Sequence, residues 1–363
     1  QKDTDGDGVT DDLDACADTP EGTTVDENGC EIIRYIYLDQ NGVTIKATEG
    51  AIIGEEYTLN DKSYLIVDKT MLQDMIKANK DVSKVVTSRI TNMDNLFNGG
   101  YNYDISESGY TWDYVTENFD YDISSWDVSN VTSMIEMFAR LTTIVSDVHD
   151  LSNWDVSKVT SMKGLLKQSD FYGSNFTGWD VSNVEDMSEL LMNSSQFSYP
   201  GIAYWNTSNV KNMRRAIYGI FLYLQWDVSA VEDMSEMFKE SGCQSVCNYL
   251  EEWDVSNVKN MSGMFANTSI NVKIGDWDVS KVEDMSNMFS STRFTRDLSK
   301  WDVSSVKNMR EMFFQAIYNR DISSWNVSNV TDMNSMFYRA DNFNQDIGSW
   351  DVDNVTDCEG FSE

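Results

Sequence analysis

Histidine occurs once in this chain of 363 residues, at His149, and proline only twice, at Pro20 and Pro200. One histidine, with no cluster of second ligands around it, gives imidazole-based metal or acid–base chemistry no support. No glycine loop that could cradle a phosphate and no nucleophile elbow is present either. Two prolines exclude a stiff proline-rich linker. No apolar run approaches the roughly 18 residues of a membrane span. Basic residues are scarce, 27 against 60 acidic, for a formal charge of −33. Such a surface repels nucleic-acid phosphates and argues against nucleic acid as a partner. It suits an extracellular surface, divalent cations or a basic partner, and its simplest role is solubility. No leader peptide is visible, and Gln1 is expected to follow a processing event or a cut.

What the chain does have is aromatic and sulfur-bearing bulk: 11 Trp, 16 Phe and 19 Met. That content excludes wholesale disorder. Most of it belongs to one box, written most regularly at Trp277–Phe289 as WDVSKVEDMSNMF. The box occurs eleven times. A degenerate first copy lies at Val85–Phe97, and ten follow at Trp126, Trp154, Trp179, Trp205, Trp226, Trp253, Trp277, Trp301, Trp325 and Trp350, about 25 residues apart. That period is the range of a leucine-rich-type coil. The residue before the first Met is Ser, Asp or Asn in successive copies, all strong N-cap types. Met285, Met288 and Phe289 then stand at i, i+3 and i+4, the spacing of one helix face. The segment upstream, as in DISSWNV at 321–327, reads as a short extended stretch and a turn. The expected fold is therefore an α/β repeat solenoid, each coil of about 25 residues holding a short parallel strand, a turn and a short helix. The Asp after each Trp, replaced by Asn at Asn206 and Asn326, is either a metal ladder or the acceptor of an Asx-type turn. The neutral substitutions favour the turn, because Asn keeps the acceptor and loses the charge.

Two segments precede the array. Residues 32–80 carry short alternating apolar runs punctuated by Asn41-Gly42 and Asn60-Asp61, then Thr70–Lys80 with Met71, Leu72, Met75 and Ile76 at helical spacing. This predicts a small β-rich cap with one helix, N-capped by Thr70, covering the apolar end of the first coil. Residues 1–31 begin with DTDGDGVTDDLDAC at 3–16. Counted from Asp3, the residues Asp5, Asp7, Val9, Asp11 and Asp14 fall on the third, fifth, seventh, ninth and twelfth positions of a calcium loop, and Gly8 on the sixth, where the turn is sharpest. Calcium needs six to eight oxygens, and this spacing supplies them locally. The competing reading is a solvated acidic tail. No helical pattern precedes the loop, and the twelfth residue is Asp rather than Glu, so it is not a true EF-hand.

The segment through Cys30, continuing ADTPEGTTVDENGC, resembles a thrombospondin type 3 repeat of the bacterial outer-surface kind. In that family the Asp-rich loop binds calcium and a disulfide follows, which implies a spacer or stalk module. The array, with FDYDISSWDVSNVTSM at 119–134 and FNQDIGSWDVDNVTD at 343–357, resembles the BspA-like leucine-rich-repeat surface proteins of bacteria in their Met/Trp-rich "mycoplasma lipoprotein" form. So does the leader IYLDQNGVTIKATEG at 36–50. The resemblance implies an exported or cell-surface protein used for adhesion. The copies between 138 and 226 depart from the pattern, with Leu165-Leu166, Leu190-Leu191 and Ala216-Ile217 in place of Met-Phe, so uniform stacking is in doubt there.

The organisation expected is residues 1–31 as a calcium loop, 32–80 as the cap and 81–363 as the eleven-repeat solenoid. Cys16 and Cys30 flank the N-terminal loop, Cys243 and Cys247 share one insert, and Cys358 is left over at the Met position of the last copy. Two pairs suggest an oxidising compartment. The chain then ends in a modified cap or is cut from a longer protein. Function should sit where the copies differ. The longest insert, Asn98–Phe119, carries Tyr101, Tyr103, Tyr110, Trp112 and Tyr114. These aromatics either bind a sugar or protein, or pack over the first coils. The protein expected is non-enzymatic and secreted or surface-attached. It would bind a protein or glycan on another cell or matrix, with Ca²⁺ as its cofactor. The competing reading is a passive stalk of a larger surface protein.

Overall fold

The computed structural model describes residues 2–31, 33–97, 121–141, 150–169, 174–194, 201–220, 223–242 and 247–362. Ahead of the array, alternation of apolar and polar residues yields two hairpins. β1 (Ile36–Leu38) pairs antiparallel with β2 (Ile45–Ala47), and β3 (Glu56–Leu59) with β4 (Lys62–Ile66). Asn60 and Asp61, between β3 and β4, both have positive φ, 51° and 61°. That is the mirror-image turn whose twist matches paired strands. α1 (Lys69–Lys77) follows. Its N-cap is Asp68 rather than Thr70, and the Asp68 carboxylate accepts the Met71 amide at 2.8 Å. A carboxylate at that place satisfies a free amide and meets the positive end of the helix dipole.

These elements are fastened to the first copies. β4 pairs in parallel with β5 (Val85–Val86), where the first copy begins. The Ile45 amide donates to the Ser125 carbonyl and the Ala47 amide to the Ser88 hydroxyl, each at 2.9 Å. Ile36, Ile45, Ala51, Ile66 and Val86 form a small core of their own, while Leu72 and Ile76 of α1 enter the core of the array.

From there one parallel ladder runs the length of the repeats. Its rungs are Asn92, Ser133, Ser161, Asp186, Asn212, Asp233, Asn260, Asp284, Asn308, Asp332 and Asp357, each bridged to the next. The rungs are the residues that sequence spacing marks as helix N-caps; among the described residues the DISSWNV-type segments expected to be strands contribute one parallel bridge, Asp150 to Asn175. The ladder passes without a break through Ser161, Asp186 and Asn212, so the Leu-Leu and Ala-Ile copies stack like the others. Leu165, Leu166, Leu190, Leu191, Ala216 and Ile217 are all buried.

The expected short helix in each copy does not form; among the described residues, the Met-Phe segments are chains of turns. Around Met285 the amides alternate between two kinds of partner. Met285, Asn287, Phe289 and Ser291 donate to Asn308, Arg310, Met312 and Phe314 of the next copy, at 2.7–3.0 Å. Met288, Ser290 and Thr292 donate three residues back within their own copy, to Met285, Asn287 and Phe289. An isolated helix of two turns is unstable because nucleation outweighs its few bonds. Giving every second amide to the neighbour satisfies the same groups and joins the copies. The Met and Phe side chains end where a helix would have put them: Met285, Met288 and Phe289 are fully buried. Phenylalanines of adjacent copies stack, Phe289 on Phe313 at 5.6 Å and Phe313 on Phe337 at 5.5 Å.

Such a turn chain requires left-handed residues. One lies two positions after the first Met, as at Glu136, Glu189, Arg215, Glu236, Asn287, Glu311 and Ser335. A second lies four further on, as at Asn193, Asn267, Ser291, Gln315 and Arg339. For non-glycine residues this region is strained, and Asn tolerates it best. Gln315 has φ 53° and an exposed side chain, while Asn267 occupies the same place two copies earlier. Gln315→Asn is expected to stabilise the fold by about 0.5–1 kcal/mol and the β-branched Gln315→Val to destabilise it by more. Thermal melts of the two variants check this, and equal melting temperatures would refute it.

Candidate functional site

The N-terminal loop brings together part of the predicted ligand set. Oxygens of the Asp3, Asp5 and Asp7 carboxylates lie within 4.8 Å of one another. Asp14 approaches from the other side: a Cβ built on Gly29 would fall 2.1 Å from Asp14 Oδ1 and 3.1 Å from Asp7 Oδ2. Both carboxylates therefore reach the space left by that glycine. Asp7 Oδ2 is buried with no hydrogen-bond partner. The loop holds its acids by backbone bonds. Asp3 accepts the Gly6 amide at 2.8 Å and the Gly8 amide at 3.1 Å. Asp7 accepts Val9 at 2.8 Å, and Asp5 accepts Thr19 at 2.8 Å. Asp11 is engaged elsewhere. It accepts both the amide and hydroxyl of Thr4 at 2.7 Å and faces Lys2 at 3.7 Å, and the Thr4 hydroxyl holds its pKa below the ordinary carboxylate value. The Cys16–Cys30 disulfide closes the segment, with Cα atoms 5.0 Å apart. Three clustered carboxylates with one orphaned oxygen, and Asp14 near Asp7, present only oxygen donors, the kind that suits a hard divalent cation.

Along the array, the Asp or Asn after each Trp accepts an amide two residues on. Asp155 takes Ser157 at 3.1 Å, Asn206 takes Ser208 at 3.3 Å, Asp254 takes Ser256 at 3.0 Å and Asn326 takes Ser328 at 3.2 Å. These are Asx turns. At Asp180, Asp254 and Asp278 the neighbouring serine's hydroxyl, then its amide, holds the carboxyl below its ordinary pKa.

Two further systems were not anticipated from sequence. Nearly every tryptophan donates its indole N–H to a backbone carbonyl of the preceding copy: Trp154 to Ile123, Trp277 to Leu250, Trp301 to Ile274 and Trp325 to Leu298, at 2.9–3.2 Å. The Asn of WDVSN reaches back similarly, Asn183 to the Ser157 carbonyl and Asn329 to Ser304, each at 2.7 Å. Its recurrence in the box was the available signal. From Asp186 to Asn308 the residue before each rung also alternates in charge, giving exposed pairs Lys211–Glu185, Lys259–Glu232 and Lys307–Glu283 at 2.6–2.8 Å. Exposed pairs contribute little stability, about 0–1 kcal/mol each.

Of the remaining predicted residues, Cys247 is disulfide-bonded, and Cys243 lies outside the described residues. Cys358 is free and exposed. Tyr101, Tyr103, Tyr110, Trp112 and Tyr114, and also His149, lie outside the described residues. No helix among the described residues is long and apolar enough to cross a membrane.

Comparison with known proteins agrees with the periodicity. An alpha-agarase from Alteromonas agarilytica is 35% identical over 86 residues, covering 20% of this chain and 6% of the agarase. The chain thus spans a small fraction of that relative's length. No solved structure matches it. One family matches five times in overlapping windows, at 66–198, 111–222, 166–269, 219–316 and 266–363. Together the windows take in the whole ladder from Asn92 to Asp357, and the chain belongs to that family, described as Mycoplasma protein of unknown function, DUF285.

Proposed function

We propose that this is an extracellular, bacterial cell-surface binding protein in which successive copies wind as one leucine-rich-type solenoid, with turn chains in place of helices. The observation that carries the reading is the ladder itself. Most of the Trp, Asp, Asn and Met residues of the described copies are taken up by the turns, the core or bonds to the preceding copy, and the flanks display hydrogen-bonding and charged side chains to solvent. Repetition of this sort provides area for recognition rather than one reacting centre. A stretch shared with 6% of a much longer enzyme is also what an ancillary, non-catalytic segment would share. The resemblance to BspA-like surface proteins points the same way, to a partner that is a protein or glycan on another cell or matrix.

Calcium is proposed to stabilise residues 1–31, in keeping with their resemblance to a thrombospondin type 3 repeat. Asp3, Asp5, Asp7 and Asp14 would hold it, and the ion would neutralise carboxylates that otherwise repel one another. The Cys16–Cys30 disulfide supports an oxidising compartment.

A screen of the whole chain against arrayed glycans and matrix proteins tests the reading. Saturable binding to a defined class is expected. Binding to nothing on either array would favour a passive stalk.

A further inference from the structure

Charge is unevenly spread along the array. Residues 259–320 carry nine Lys and Arg against seven Asp and Glu, while the rest of the chain carries 18 against 53. Four of the nine cations meet at one place. A groove of about 380 Å³ is lined by Lys273, Gly275, Asp276, Thr295, Arg296, Asp297, Lys300 and Arg320. They belong to three consecutive copies. Arg296 and Arg320 are 24 residues apart and fixed in the same way. Arg296 donates Nε–H to the Asn271 carbonyl at 2.9 Å, and Arg320 donates Nε–H to the Thr295 carbonyl at 2.8 Å. Each bond ties a guanidinium to the copy before it, and both side chains are exposed. The two acids are occupied: Asp276 pairs with Lys300 at 2.7 Å, and Asp297 accepts the Ser299 amide at 2.9 Å. Gly275 forms the floor, where a Cβ would stand 2.3 Å from the Asp297 carbonyl oxygen, so only glycine lets the copies close up here.

We propose that this groove binds an anionic polysaccharide through its sulfate or carboxylate groups, with Arg296 and Arg320 as the principal contacts and Lys273 beside them. The proposal rests on the reading of the protein as a binding protein and names its ligand class. Guanidinium forks pair with oxyanions through two parallel bonds, and forks already held in place lose less entropy on binding. Their repetition at the ladder period, about 4.8 Å per copy, suits a polymer that repeats its charge. The lining contains no apolar side chain. Peptide recognition usually depends on apolar or aromatic anchors, so a wholly polar groove fits a hydrophilic chain better.

The test titrates the whole chain with dextran sulfate, polygalacturonate, poly-L-glutamate and neutral dextran by calorimetry. Saturable binding to dextran sulfate or polygalacturonate is expected, the stronger of the two identifying the anionic group. Affinity should fall with added salt. The double variant Arg296→Gln/Arg320→Gln should weaken that binding about tenfold or more, and Lys273→Gln by less. Lys259→Gln/Lys307→Gln, in a different groove, should leave it unchanged. Unaltered melting temperatures of these exposed variants would separate lost binding from lost fold. Equal binding of poly-L-glutamate, or full binding by the arginine variant, would overturn the assignment. If the chain binds other arrayed ligands but none of these anions, the assignment fails and the binding reading stands. Binding to nothing at all ends both.

Discussion

Trp301→Ala is expected to destabilise the array by about 3–5 kcal/mol, the range for deleting a buried tryptophan. Two effects combine. The indole is 3% exposed, packs 6.1 Å from Phe289 and lies within a core continuous from copy to copy. Its removal opens a cavity that the stacked neighbours cannot collapse into without breaking the ladder. The indole N–H also donates to the Ile274 carbonyl at 2.9 Å, which accepts the Trp277 amide at 3.1 Å as well, so alanine removes one of that acceptor's two bonds and the link between the copies. Trp301→Phe separates the terms, keeping most of the bulk and losing the bond, for about 0.5–1.5 kcal/mol. Position along the array gives a control. Trp350 makes the same bond, to Ile322, but is 9% exposed, so Trp350→Ala should cost less than Trp301→Ala. Copies touch mainly their neighbours, and a weak copy in the middle of such a stack can uncouple the two sides. Urea unfolding of Trp301→Ala should therefore show an earlier, broader or divided transition. An unfolding curve superimposable on that of the unaltered chain would mean that the tryptophans are not what binds one copy to the next.

The same copy shows what the residue pattern reveals and what it conceals. Met285, Met288 and Phe289 were legible as one buried face because spacing of i, i+3 and i+4 converges both on a helix and in the turn chain that forms here. The backbone was not legible, for the same reason. Left-handed positions are filled by Glu136, Arg215, Ser335 and Gln315 as well as by Gly164 and Gly263, so residue type does not announce the positive φ. Those residues are held there by inter-copy bonds such as Gln315 to Tyr338 at 2.8 Å, which no single copy contains. The Asx turns were legible because both donor and acceptor lie within three residues. The tryptophan bonds were not, since their acceptors belong to the preceding copy. In the N-terminal loop, local spacing placed Asp3, Asp5 and Asp7 together, and their carboxylates do cluster. The contacts of Asp11 with Thr4 and Lys2 were not legible from that spacing.

That difference between Asp7 and Asp11 makes the calcium proposal sharply testable. Calcium at a hundredfold excess over its dissociation constant should stabilise the segment it binds by about 2.7 kcal/mol through mass action. The effect belongs to residues 1–31, so it is best read locally, by hydrogen exchange of the amides between Asp3 and Cys16 in the whole chain. The Gly6, Gly8 and Val9 amides already donate to Asp3 and Asp7, and fixing those carboxylates should slow their exchange. Chelation should return it to the faster rate. Asp7→Asn removes the charge from a buried carboxylate oxygen that has no hydrogen-bond partner, so the calcium-dependent protection should be lost. Asp11→Asn alters a carboxylate committed to Thr4 and should leave most of it. A loop counted strictly as position nine of an EF-hand predicts a comparable loss from both changes. Magnesium is a further discriminant. It demands near-ideal octahedral geometry and gives up water reluctantly, so a loop of closely grouped carboxylates should respond to calcium at far lower concentration. Exchange rates between Asp3 and Cys16 that are identical in calcium and in chelator would remove the ion from the description. The Cys16–Cys30 disulfide and the backbone bonds would then hold the segment without it.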